Sequence, residues 1–302
     1  MSVALKEHLA LFRLSYLCHR APGFRWIGKS IPPTIYFKWQ KSMANLAYHL
    51  YPADRRRSRY LQRAMRTTFP VATQRRAAKR NILYREWLKV LTHGWPTWAE
   101  RCQDWARLEG AEHLTEALRQ GKGVVLLSGH SYGFTSVVCP ILSQLGYRLN
   151  RTGRGAFGDP AKRWGREWIH ENWQYDSYGQ DFWQHLRALH KMQLAIKRNE
   201  VIHLLVRGFS QGDPRTKIDF YHEEFFLDPV SFRIVETLQA PVLPCFPLCD
   251  DEGRLVINLY PPLPPSTAEI MRAFGPLYSS HLKTLPEFAF FWRKLVGRRE
   301  GW

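Results

Sequence analysis

Short apolar runs separated by amphipathic stretches dominate the last two-thirds of the chain. Gly123-Val124-Val125-Leu126-Leu127-Ser128 is an uninterrupted apolar run too short for a helix, and it predicts a buried strand. Before it, Glu109–Gln120 has helical spacing and ends near Gly121; after it, Ser136–Leu145 has the same character. Tyr147–Arg151, Val201–Val206, Pro241–Pro247 and Leu255–Leu259 repeat the strand pattern. Gly179–Arg198, carrying Trp183, Leu186, Leu189 and Leu194, predicts a long helix, and Ser231–Leu238 a shorter one. Strand alternating with helix predicts an α/β fold over residues 108–302, with a mainly parallel central sheet flanked by helices. Ligands of such sheets gather at the carboxyl ends of the strands.

Residues 1–107 read as a helical region belonging to the same domain. Pro22, Pro32 and Pro33 break its first part, and Tyr36–Tyr51 follows. Pro70 divides a basic stretch that runs from Arg55 to Arg80, and Ile82–Leu91 and Trp95–Leu108 read as two more helices. Leu5, Leu9, Phe12 and Tyr16 share one helical face, which either docks on the protein's own core or lies in a membrane interface. Lys6, Glu7, His8 and Arg13 interrupt any signal-peptide core. No apolar stretch reaches the roughly 18–20 residues that span a bilayer.

Charge adds a partner class. Lys plus Arg number 44 against 26 acids in 302 residues, a formal charge of +18, which attracts polyanions, anionic membrane surfaces and acidic carriers. Twelve Trp fit a lipid–water interface at least as well as a nucleic-acid groove. Without a recognition helix or stacking motif, nucleic acid is not an expected partner. The five cysteines (Cys18, Cys102, Cys139, Cys245 and Cys249) are scattered, and no second pair gives Cys245 and Cys249 a zinc spacing. The expectation is a reduced, cytoplasmic protein without metal or cofactor.

The chemistry concentrates in Gly121–Thr135, which reads strand, tight turn, helix. His130 stands where the strand ends, well placed to take a proton from a hydroxyl or amine. One reading of Gly129-His130-Ser131-Tyr132-Gly133 is the G-x-S-x-G nucleophile elbow, with Ser131, then Asp250 or Asp251, then His281 in the hydrolase order. Phe134, however, occupies the place of a second small residue.

The second reading covers far more of the chain. Leu108 through His130 is similar, nearly residue for residue, to the approach to the catalytic histidine in the late acyltransferases of lipid A biosynthesis. These are relatives of the glycerolipid acyltransferases. Glu224-Phe225-Phe226 resembles their PFFG segment, Ala240–Phe246 their GAPVVPVF strand, Asn258–Leu263 their I-x-P-P-L ending, and Leu285–Lys294 their closing motif. The resemblance runs from about residue 40 to the end. It implies a glycerolipid-acyltransferase-like fold. It also implies transfer of an acyl group from acyl carrier protein or coenzyme A to an acceptor deprotonated by His130.

Departures accompany it. The family's dyad acid, five residues after the histidine, is Thr135 here, and residues 131–138 hold no acid. Losing such a carboxylate costs about 10⁴ in rate by analogy with other His–Asp units. Thr135 supports the imidazole through a hydroxyl, or an acid from elsewhere does so, with Asp159, Glu223 and Glu224 as candidates. Otherwise the acceptor needs a weaker base, or the chain binds carrier or lipid without catalysis. Arg151 matches the family's arginine, with Arg154 as its neighbouring substitute, and both are expected to bind substrate phosphate or developing negative charge. Arg207 replaces a family acid at a strand's carboxyl end and joins them as a substrate-binding expectation.

Overall fold

The computed structural model describes residues 32–285, apart from 51, 67, 131–134, 153–170, 174–181, 207, 210–211, 213 and 222. The described chain forms two compact units. The first holds the helices up to Trp105 together with Cys249–Leu255, and the second holds Ala106–Leu248 and the chain from Val256 onward.

In the first unit, α1 (Pro33–Leu50), α2 (Pro52–Met65) and α3 (Val71–Trp98) pack on one another. Pro70 sets the start of α3, where the Gln74 amide donates to the Pro70 carbonyl and the Gln74 side chain to the Phe69 carbonyl. Phe37 of α1 meets the Trp87 ring edge-on at 5.4 Å, and the Trp87 indole donates to the Gly253 carbonyl at 3.0 Å. Gly253 needs its glycine: its φ is +86°, and a Cβ there would lie 2.2 Å from the Phe37 ring.

The expected helix over Trp95–Leu108 is corrected. Helix α3 runs unbroken to Trp98, a 3-10 turn covers Ala99–Asp104, and Ala106–Glu109 is a strand, β1. Sheet pairing overrides helical spacing here, because β1 lies beside β10 (Leu255–Leu259) at one edge of the main sheet.

The second unit is built on β1, α4 (Ala111–Arg119), β2 (Val124–Gly129), α5 (Thr135–Gln144), β3 (Leu149–Thr152), β4 (Glu171–Trp173), α6 (Phe182–Lys197) and β5 (Val201–Val206). It continues through β6 (Gly208–Phe209), β7 (Lys217–Phe220), β8 (Glu223–Leu227), α7 (Pro229–Leu238), β9 (Val242–Cys249), β10 and α8 (Thr267–Thr284). The main sheet has seven strands in the order β1-β10-β9-β2-β5-β3-β4. Strands β9, β2, β5, β3 and β4 run parallel, as expected for an α/β fold. β2 is buried along its whole length and lies between β5 and β9, which the chain reaches on opposite sides of it. Its carboxyl end is therefore the topological switch point, where such sheets bind ligands. A smaller antiparallel sheet, β6-β8-β7, packs against α8 through β7.

Two caps explain elements after residue 228. Asp228 caps α7 by accepting from the Val230 amide at 3.0 Å, with Pro229 opening the helix. Ser266 caps α8 by accepting from the Glu269 amide, while its hydroxyl donates to the Glu269 carboxylate at 2.6 Å.

Candidate active site

Strand β2 ends on Ser128-Gly129, and the two residues face opposite sides of the sheet. On one side the Ser128 hydroxyl donates to the Cys245 carbonyl at 2.5 Å. Its oxygen is then left to accept from His203 Nε2 at 2.9 Å. That assignment puts the ring proton on Nε2, so Nδ1 accepts the Cys139 thiol proton across 3.4 Å. Burial first, and then the Arg151 charge, push His203 down to about 3; burial pushes Cys139 up to about 12. The result is a neutral, fully buried chain joining β9, β2, β5 and α5.

On the other side Gly129 lies flush against Tyr278 of α8. A Cβ at Gly129 would sit 2.0 Å from the tyrosine ring, so no larger residue fits. The Tyr278 hydroxyl donates to the His130 carbonyl at 3.0 Å and fixes the backbone of the candidate catalytic residue. Tyr278 stacks on Phe246 with centroids 5.8 Å apart, and the His281 ring stacks on the same Phe246 at 5.0 Å.

His130 follows β2 directly and is half-buried at the carboxyl edge of the sheet. Thr135 opens α5, 4% exposed. Ser131, Arg154, Asp159 and Arg207 lie outside the described residues. The residue before Arg207, Val206, pairs in register with Gly129, the residue before His130. Arg151 pairs with His203, which is itself level with Leu126. Arg151 thus sits three rungs, about 10 Å along the strand, before Gly129. Its Nε is buried without a hydrogen-bond partner, and no carboxylate pairs with it among the described residues.

Of the candidate acids and the hydrolase residues, Glu224 and Asp250 are engaged elsewhere, and the Glu223 side chain lies outside what the structure describes. Glu224 is exposed and paired with Lys217 on the small sheet. Asp250 accepts from the Glu252 and Arg254 amides and closes the turn between β9 and β10. His281 is 6% exposed, its Nε2 has no partner, and burial lowers it to about 4. Among the described residues no cluster of three His, Cys, Asp or Glu could hold a metal ion. Cys245 and Cys249 are both buried thiols whose ionisation burial pushes upward.

Four residues that shape this end of β2 were missed in the sequence: Ser128, Cys139, His203 and Tyr278. His203 did carry a signal, as one polar residue inside Val-Ile-His-Leu-Leu-Val, because a buried polar group needs a partner. Tyr278 carried none, since its partner lies 148 residues away.

Fold and site define a class: an α/β protein that presents a histidine at the carboxyl end of a central parallel strand. The model of the bacterial lipid A biosynthesis acyltransferases matches residues 23–292, and the chain belongs to that family. No curated protein matches it. The family points to acyltransferase activity in lipid A biosynthesis.

Proposed function

We propose that the protein transfers an acyl group from a thioester of acyl carrier protein or coenzyme A to a hydroxyl or amine of a lipid acceptor, with His130 as general base. His130 takes the acceptor's proton as the acceptor oxygen or nitrogen attacks the thioester carbonyl. The carbon–sulfur bond then breaks, and the thiol leaves with that proton. The observation that carries the proposal is the position of His130 at the switch point, its backbone fixed by Tyr278.

Thr135 takes the place of the dyad acid and supports the imidazole through its hydroxyl, a weaker partner than a carboxylate. Arg151, with Arg154 and Arg207, supplies positive charge for the acceptor's phosphate or the developing oxyanion. The protein acts peripherally, on the cytoplasmic face of the membrane. No helix among the described residues is long and apolar enough to cross one.

Labelled acyl carrier protein or acyl coenzyme A, incubated with the full chain and a bacterial lipid extract, tests the reading. It predicts label in a lipid product together with free thiol. Release of free fatty acid alone, with fluorophosphonate labelling at Ser131, would instead establish the hydrolase reading.

A further inference from the structure

The three-helix unit carries an unusual division of charge. Residues 32–85 contain thirteen lysines and arginines and a single acid, Asp54. Helix α1 carries apolar side chains on both sides of its first two turns. Tyr36, Phe37 and Ala44 face inward and are buried, while Ile35 is 55% and Trp39 37% exposed. Positions 35, 38, 39 and 42 recur at helical spacing, so Ile35 and Trp39 share the outward face with Lys38, and Lys41 stands at its border. All four are exposed, as are Arg59 and Arg63 on α2.

An exposed Ile35–Trp39 pair set among lysines suits a partner that covers the apolar pair and the cations together. The partner must offer anions and an apolar phase within a few ångströms of each other. A phosphate backbone satisfies the lysines and leaves Ile35 in water. An anionic lipid surface satisfies both: the cations reach headgroups while Ile35 and Trp39 enter the headgroup–acyl boundary, where tryptophan is favoured.

We propose that the outward face of α1, centred on Ile35 and Trp39 and flanked by Lys38 and Lys41, is the docking surface for an anionic lipid membrane, with Arg59 and Arg63 adding long-range attraction. This deepens the peripheral part of the proposed function and does not depend on its chemistry.

Co-sedimentation of the full chain with vesicles tests it. One set contains phosphatidylcholine alone and the other about one-third phosphatidylglycerol. Binding is expected only to the anionic vesicles and is expected to weaken as salt rises. Ile35→Ser/Trp39→Ser is expected to weaken it about tenfold or more, and Lys38→Glu/Lys41→Glu about fivefold or more for each cation. All four residues are exposed, so far-UV circular dichroism and the unfolding midpoint should match the parent. His130→Ala should bind vesicles as the parent does, which separates this test from that of the enzyme reading.

Binding that is indifferent to the Ile35/Trp39 pair in a folded variant overturns the proposal. So does equal binding to both vesicle types. A parent that ignores vesicles while binding an acidic protein or an oligonucleotide assigns the face to that partner instead and overturns it too.

Discussion

At residue scale, what supports the His130 imidazole decides its strength as a base. Thr135 is buried at the first position of α5, where a hydroxyl can hold a neutral ring but cannot stabilise imidazolium as a carboxylate would. Thr135→Val, nearly the same shape, is expected to lower kcat about tenfold with KM little changed. Thr135→Asp should act in the opposite direction. A carboxylate beside the ring favours its protonated form, so the acid limb of the pH–rate profile should move to higher pH and the plateau rate should rise. Steady-state kinetics across pH read both. Thr135→Asp leaving the profile where it was would show that this position does not address His130. The missing acid was legible in the sequence, since residues 131–138 can be read directly. Whether another acid replaces it was not, because long-range side-chain approach leaves no local pattern.

At the scale of elements, the end of β2 is clamped from both faces: Ser128, His203 and Cys139 tie it to α5 on one side, and Tyr278 of α8 presses on Gly129 on the other. Gly129→Ala is expected to destabilise by about 1–3 kcal/mol through overpacking against Tyr278. Gly129→Ala/Tyr278→Leu should recover part of that loss while leaving the His130 carbonyl unheld. Urea unfolding of the single and double variants checks the coupling, and simple additivity would contradict the contact. The central strands and their flanking helices were readable, because a fully buried parallel strand is a plain apolar run. Val201–Val206 and Leu255–Leu259 were bounded to the residue. β1 carries helical spacing and becomes strand only because its four residues take their partner from β10, far along the chain. Ser266 and Glu269 announce the start of α8 in the sequence itself. In the small sheet β7 alternates, Lys-Ile-Asp-Phe, but over only four residues, and β6 has only two, too few to separate them from loop in the sequence.

At the scale of the whole molecule, acid lability follows from two buried neutral histidines. His203 and His281 are held near 3 and 4, below the 6.5 of a free imidazole. The unfolded chain therefore binds protons that the folded chain refuses. The stabilisation they give is present above pH 6.5 and is lost as pH falls toward their folded values. Between pH 7.5 and 5.5 the pair should remove about 3 kcal/mol, read as a falling urea midpoint, and His281→Phe should roughly halve that loss. A midpoint flat over this range would contradict the burial of both rings. The architecture was legible because the family's segments occur in order along the chain, and the match over residues 23–292 agrees with it. The chemistry at the switch point is the central claim, and acyl transfer from a labelled thioester donor by His130→Ala, compared with the parent, tests it most directly. His130 sits half-buried at the carboxyl edge of the sheet, outside the buried run of β2, so the variant should fold as the parent does and lose transfer by about 10⁴. A folded His130→Ala protein that transfers acyl groups at the parent's rate would contradict the account.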